Sequence, residues 1–248
     1  MIVSVITATF NSSTTIKDTL TCIRQQDYHA IEHIIVDGSS TDDTLKIIGQ
    51  FPHVAKIISE KDEGIYDAMN KGIAAASGEI IGILNSDDVY VHESVLSKIV
   101  SVFENDAIDV CYADLLYVQQ HDLNKVVRTW KSGIYKPVSF HRGWMPPHPT
   151  VFVRRRVYDQ VGHFNTSLKS AADYELMLRI FVKYNFNIHY IPEFIVKMRI
   201  GGISNASFRN RVTANKEDRK AWKINDLHPR FFTLYLKPIR KLTQFLKR

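Results

Sequence analysis

The sequence predicts an α/β fold: a mostly parallel sheet with flanking helices, then a mixed C-terminal half and an amphipathic helical extension. Three observations predict it. Through the first hundred residues, short β-rich apolar runs alternate with segments of helical length, the pattern of βαβ units. Each of the first four apolar runs ends in a polar cluster, at the strand ends where such sheets carry their ligands. After about Asp109 the strand-like runs lengthen and adjoin one another, which implies partly antiparallel pairing.

Taken in order, "IVSVITA" from Ile2 is a strand buried on both faces, and residues 13–26 carry the helical period that follows it. "IEHIIVD" is a second strand and 41–50 a second helix, with Thr41 as its cap. "VAKIIS" is a third strand, followed by a helix over 65–77 that starts after a glycine. "EIIGIL" is a fourth, followed by a helix over 92–104. Beyond these, "VCYADLLYVQQ" and "KVVRTWKSG" read as longer strands and the Pro- and aromatic-rich "FHRGWMPPHPT" as a loop. "VFVRR" is a strand, 171–183 a helix, and "NIHYI" and "FIVKM" two short strands. No internal repeat or low-complexity linker divides the chain, so 1–227 forms one domain with a tail at 228–248.

At 248 residues the chain is long enough to bury a sizeable core. It opens without the basic, apolar and small-residue order of a signal peptide, and no apolar run reaches the roughly 18 residues of a spanning helix. A cytoplasmic protein is the expectation. Cys22 and Cys111 stand too far apart for a zinc set and read as core thiols. The net charge of +6 resides wholly in the tail, where Arg230, Lys237, Arg240, Lys241, Lys247 and Arg248 face no acidic residue. A nucleic-acid binder spreads its basic footprint over the folded body, so that partner is not expected.

The loops carry the chemistry. "TATFNSST" after the first strand has no glycine, which excludes the dinucleotide turn, and the P-loop pattern is missing too. Asp37 in "VDGSSTDDT" either organises its turn or accepts an N–H from a bound base. In "EKDEGIYDAMNKG", Asp67, Asn70 and Lys71 share one helix face, which is either solvated or offers Lys71 to a diphosphate. "LNSDD" drives Asp87 and Asp88 together; they either cap the next helix or hold a hard divalent ion whose other ligands are phosphates. Asp173 in "SAADYELMLRI" either favours the positive end of its helix dipole or acts as a general base.

Together "TFN", "VDGSSTDDT", "GIYDAMNKGI", "GEIIGILNSDD" and "ADYELMLR" resemble the glycosyltransferase family 2 pattern on the GT-A fold, over residues 2–180. The resemblance implies an inverting transferase that uses a nucleotide-diphosphate sugar, most often a UDP-sugar, with Mg²⁺ or Mn²⁺. It places Thr9, Phe10 and Asn11 by the base, after Thr7, and gives the uracil to Asp37 beside Ser39. Lys61, Asp67, Asn70, Lys71, Asn85 and Ser86 complete the donor set. Asp87 falls near the ribose and the metal, Asp88 is the principal metal ligand, and Asp173 matches the catalytic base.

The chain departs from the pattern in three places. Met69 stands where relatives carry an arginine, which passes charge compensation to Lys71 or Lys61. Ala172 precedes the base where an acid is common, and no late histidine provides a third metal ligand, "GGISN" being the late loop. On this reading, 1–108 binds the nucleotide, 109–205 the acceptor, and 206–227 is a helix. Trp144 is the expected stacking surface for an acceptor sugar and His148 a polar contact, against a purely structural loop. The tail, with Phe231, Phe232, Leu236, Ile239, Leu242, Phe245 and Leu246 among its cations, is expected on an anionic membrane interface. Docking on the domain or forming a homodimer is its alternative. The membrane reading suits a lipid-linked saccharide acceptor in bacterial surface polysaccharide assembly. A sugar nucleotidyltransferase and a non-catalytic nucleotide-sugar binder are the rival classes, and the first lacks its Gly-rich basic loop.

Overall fold

A computed structural model describes residues 1–201, 208–237 and 240. The first half runs β1 (Val3–Thr9), α1 (Ile16–Arg24), β2 (Ile31–Asp37), α2 (Thr44–Ile48), β3 (Val54–Ser59), α3 (Ile65–Ala75), β4 (Ile80–Ile83), β5 (Val89–Tyr90) and α4 (Val95–Phe103). The second half runs β6 (Val110–Gln119), β7 (Asp122–Trp130), β8 (Phe152–Arg154), α5 (Arg155–Val161), α6 (Ala172–Leu178), β9 (Ile188–Arg199) and α7 (Phe208–Ile224).

One mixed sheet carries both halves, in the order β3-β2-β1-β4-β8-β6-β9-β5, with β7 paired outside this path on β6. Strands β1 to β4 pair in parallel, so their carboxyl ends share one edge. Antiparallel β8 joins β4 to β6 and so ties the second half to that edge. All seven residues of β1 are buried, as expected of a strand covered on both faces. Fully buried isoleucines such as Ile6 and Ile34 each contribute about 1.5–3 kcal/mol to this core. Helix α3 turns Ala68, Met69, Gly72 and Ile73 toward it. A Cβ on Gly72 would lie 2.3 Å from Ile6 Cγ2, so the absence of a side chain there lets α3 sit close against β1.

Four features differ from the sequence expectation. The two short strands near 190 are a single β9 that passes through Pro192. Pro192 is exposed and falls where the β6–β9 register shifts between Tyr112 and Asp114, so its missing N–H breaks no regular pairing. Helix α6 is short and continues as a π turn over Arg179–Lys183. Strand β5 and helix α5 were not anticipated. Finally, part of the tail docks on the body. Thr233 and Leu234 are buried, Thr233 Oγ1 donates to His141 O at 2.6 Å, and Lys237 pairs with Asp218 of α7 at 2.7 Å. The tail positions 238–239 and 241–248, and loop residues 202–207, lie outside the described residues.

Cys111 is buried and Cys22 half-buried. Burial pushes the Cys22 thiol up to about 12, in keeping with an inert thiol.

Candidate active site

The polar clusters at the ends of β1, β2 and β4 are laced together by hydrogen bonds. Asn11, held in the left-handed region at φ 48°, donates its N–H to Ser40 Oγ at 2.8 Å, and its side-chain oxygen accepts from Thr41 N at 2.9 Å. Ser12 Oγ meets Ser86 Oγ at 2.8 Å, which closes the β1 loop on the β4 loop. A Cβ on Gly38 would come within 2.5 Å of Asp62 Oδ2, so the β3 loop reaches the same edge by pressing on that glycine. Phe10 stands out from the cluster at 60% exposure.

Asp88 is the most enclosed carboxylate here. It is fully buried; Asn85 Nδ2 donates to its Oδ2 at 3.1 Å, whereas its Oδ1 is buried without a partner. Asn85 Oδ1 and Thr9 Oγ1 are likewise buried and unpartnered, at the ends of β4 and β1. Burial and the neighbouring charge of Asp87 push the Asp88 carboxyl well up from its ordinary value, and burial raises Asp87 as well. Orphaned hard oxygens beside carboxylates that resist ionisation are what a divalent cation relieves, so Asp88, with Asp87 beside it, fits Mg²⁺ or Mn²⁺. Among the described residues no group of three His, Cys, Asp or Glu side chains could enclose a metal. This suits an ion completed by phosphate or water oxygens.

Lys71 and Lys61 have other surroundings, and an arginine lies against the Asp87–Asp88 loop. Lys71 is tied to Glu60 at 2.8 Å and Asp67 at 3.3 Å, and it donates to Lys61 O, while Lys61 itself is exposed. Arg199, at the end of β9, is only 5% exposed and lies against the Asp87–Asp88 loop. Its guanidinium donates to Asp87 O at 2.6 Å, Gln120 O at 2.9 Å and Asp18 Oδ2 at 2.5 Å, and its charge opposes the upward shifts of Asp87 and Asp88. A lone arginine inside a strand gives no local signal; only the sheet register brings it under the β4 loop.

Asp173 begins α6 and is half-buried. Its Oδ1 accepts from Tyr174 N at 2.8 Å and from Tyr66 Oη, on α3, at 3.3 Å. Tyr66 stacks on Phe164 at 5.5 Å, and Phe164 in turn meets the half-buried His148 edge-on at 5.5 Å. Burial lowers the His148 imidazole while the charge of Asp173 raises it. The Tyr117 phenol, near the end of β6, is raised by burial and feels both Asp88 and Asp173.

Several expected site residues have other occupations. Thr7 is fully buried and bonds His33 Nε2 at 3.1 Å inside the sheet. Asn70 spends both ends of its amide on the backbone of Phe164, at 2.9 Å each. Asp67 caps the N–H of Glu63 as well as pairing with Lys71. Asp37 is fully buried, its carboxylate accepting from Ser40 N, Ser40 Oγ and Ser59 Oγ, so the turn-organising reading is the one its bonds fill. Ser39 sits exposed above it at φ 63°. Trp144 is only 5% exposed, donates Nε1 to Ser132 O at 2.7 Å, and packs among Tyr112, Tyr135, Phe140 and Phe181. Its ring faces are covered, which corrects the expectation of a sugar-stacking surface.

Comparisons with known proteins agree with this geometry. Residues 4–171 match the family model described as Glycosyl transferase family 2. A PGL/p-HBAD biosynthesis glycosyltransferase of Mycobacterium bovis is 27% identical over 209 residues, 82% of this chain and 78% of the relative. An uncharacterized glycosyltransferase of Mycobacterium tuberculosis is 31% identical over 194 residues, 71% of this chain and 68% of the relative. Among solved structures, S. aureus TarS 1–349 in complex with UDP-GlcNAc superposes with a TM-score of 0.72 at 18% identity, covering 99% of this chain and 72% of that one. The chain spans 43% of the longer S. aureus TarS structure. A mannosyltransferase from Pyrobaculum calidifontis, in complex with GDP-Man and Mn²⁺, gives a TM-score of 0.65 at 17% identity over 95% of this chain and 72% of that one. These structures share the fold, of GT-A type, and the family match carries the assignment: this chain belongs to glycosyl transferase family 2.

Proposed function

We propose that this glycosyltransferase is metal-dependent and inverting, and that it moves a sugar from a UDP-sugar to a hydroxyl of a saccharide acceptor. The observation that carries the reading is the enclosed Asp88 carboxylate, with one oxygen unpartnered, in a loop whose Asp87 carbonyl is held by the guanidinium of Arg199. UDP is favoured because a structural neighbour is seen with UDP-GlcNAc; Mn²⁺ is supported by another, although that one holds GDP-Man. Exposed Phe10 offers the uracil a face, with Asn11 and Ser39 beside it.

The steps follow from the separation of roles. Asp173 takes the proton of the acceptor hydroxyl as that oxygen bonds to the anomeric carbon. The anomeric bond to the diphosphate breaks, and its electron pair leaves with the nucleotide. Attack from the opposite face turns an α-linked donor into a β-linked product. When bound at Asp88 and Asp87, a divalent ion supplies Lewis-acid stabilisation of the charge that grows on the diphosphate. Arg199 fixes the backbone of that loop from below.

Asp173→Asn is the test. It should keep affinity for UDP-sugars while nucleotide release falls by about 10²–10⁴-fold. Undiminished turnover removes Asp173 as the base and leaves a nucleotide-sugar binder with a different catalytic group.

The acceptor is proposed to be lipid-linked, in the assembly of a polysaccharide such as O-antigen, capsule or exopolysaccharide. Phe231 and Tyr235, on the outward side of the docked tail, are 88% and 63% exposed, and the Arg219 guanidinium lies 5.9 Å from the Tyr235 ring. Apolar rings among cations suit an anionic bilayer surface, and no helix among the described residues is long and apolar enough to cross a membrane. Flotation with phosphatidylglycerol vesicles should recover the full chain but not a Phe231→Ser, Tyr235→Ser variant. Equal recovery of both overturns the reading, and a concentration-dependent dimer in light scattering replaces it with a subunit contact.

A further inference from the structure

The proposed base is held by a residue with no assigned part in the chemistry. Tyr66 lies in the first turn of α3, and its hydroxyl crosses to the start of α6, where it donates to Asp173 Oδ1 at 3.3 Å. The N–H of Tyr174 donates to the same oxygen at 2.8 Å. Among the described residues both bonds on this carboxylate therefore fall on Oδ1, which leaves Oδ2 turned to other work. The Tyr66 ring is fixed by its stack on Phe164, whose backbone N–H and carbonyl are both clamped by Asn70 of the same α3. The amide and the ring thus form one brace from α3 to the segment before α6. Burial and the charge of Asp173 push the Tyr66 phenol up, so it stays a neutral hydroxyl with a proton to donate.

We propose that Tyr66 is the positioning residue of the base: its hydroxyl, with the Tyr174 N–H, occupies Asp173 Oδ1 and reserves Oδ2 for the acceptor hydroxyl. This rests on the assignment of Asp173 as base. A carboxylate at a helix start rotates freely about its terminal bond unless one oxygen is pinned, and a pinned oxygen turns a local charge into an oriented proton acceptor. The other titratable groups around this pair are His148 from the 3-10 turn after Pro147, Tyr117 from β6 and Glu217 from α7. None of them replaces a donor aimed at Oδ1.

Tyr66→Phe keeps the ring and its stack, and removes only the donor. In the full chain, with Mn²⁺ and the UDP-sugar that a donor panel selects by nucleotide release, kcat should fall about tenfold with KM for the donor unchanged. In an Asp173→Asn background the same change should have no further effect on rate, because the two residues act as one unit. Carbon-13 carboxyl spectra, with the Asp173 signal identified by difference from Asp173→Asn, should show that signal displaced in Tyr66→Phe with no donor present.

An unchanged rate and carboxyl signal in Tyr66→Phe overturns the proposal. A displaced carboxyl signal together with full activity of Asp173→Asn overturns the base assignment instead, so the two failures are distinguishable. Melting temperature is followed in both variants. A Tyr66→Phe loss that persists in the Asp173→Asn background marks a structural role and likewise overturns the proposal.

Discussion

Removing the Arg199 guanidinium probes the link between the two halves of the sheet and the Asp87–Asp88 loop. In Arg199→Met the carbonyls of Asp87 and Gln120 lose their donor, and Asp18 loses an ion-pair partner. Breaking a buried ion pair from one side costs about 3–5 kcal/mol. Here Asp18 is 47% exposed and water takes up its charge, so that cost is discounted. The carbonyl of half-buried Asp87 dominates, with a penalty of about 1–3 kcal/mol when left without a donor, whereas Gln120 is exposed and water replaces the donor to its carbonyl. The expected loss is about 2 kcal/mol, a fall of about 4–8 °C in melting temperature for a chain of this size. Urea and thermal unfolding read the stability, and calorimetry of UDP with and without Mn²⁺ reads the site. Because Arg199 fixes the loop that carries Asp88, metal-dependent UDP affinity should also fall by about tenfold or more, equivalent to 1.4 kcal/mol. Arg199→Lys should recover part of the charge but not the three directed bonds. A methionine variant that keeps stability within about 0.5 kcal/mol and binds Mn²⁺ and UDP like the parent refutes the reasoning.

Further outcomes follow from groups the fold has enclosed. Burial, with the neighbouring His53, lowers the His33 imidazole from 6.5 to about 3. The unfolded chain therefore binds the proton first, and stability complete above about pH 6.5 is lost as pH falls toward 3, by up to about 1.4 kcal/mol per unit. Urea melts across this range should show that slope in the parent and a flatter one in His33→Leu; identical slopes contradict it. Trp144→Ala should cost about 3–5 kcal/mol in unfolding free energy as a core truncation. A stable variant with weakened acceptor binding would restore its stacking role. Asp37→Ala leaves Ser40 and Ser59 without their acceptor and should cost about 1–3 kcal/mol in the same measurement. Unchanged stability with weakened UDP binding would return Asp37 to base recognition.

The first half was legible because its signals are local. The apolar runs of β1 to β4 and the helical periods between them place four polar loops on one edge without any tertiary knowledge, and the bonds of Asn11 to the β2 loop and of Ser12 to the β4 loop bear out that convergence. Asp88 and Asp173 were legible as polar residues where an apolar pattern stops. What stayed hidden depends on burial and register. Trp144, Asn70 and Thr7 carry the side chains of binding residues, and only the packed structure shows their polar atoms already engaged. Arg199 belongs to a strand with no polar cluster, and it reaches Asp87 because β9 pairs β6 in parallel and β5 in antiparallel fashion. Tyr66 read as one residue of a helix start, since its contact with Asp173 spans 107 positions of chain. Strand β5, two residues long, is below the length at which alternation can be seen.

The central claim is that Asp88 holds a divalent ion through which the nucleotide diphosphate is bound. Titration of UDP into the full chain, with Mn²⁺ and then with the metal chelated, for the parent and for Asp88→Ala, tests it most directly. The account predicts binding in the parent that collapses on chelation, and weak, metal-insensitive binding in Asp88→Ala at unchanged melting temperature. Equal UDP affinity in all four measurements would contradict it.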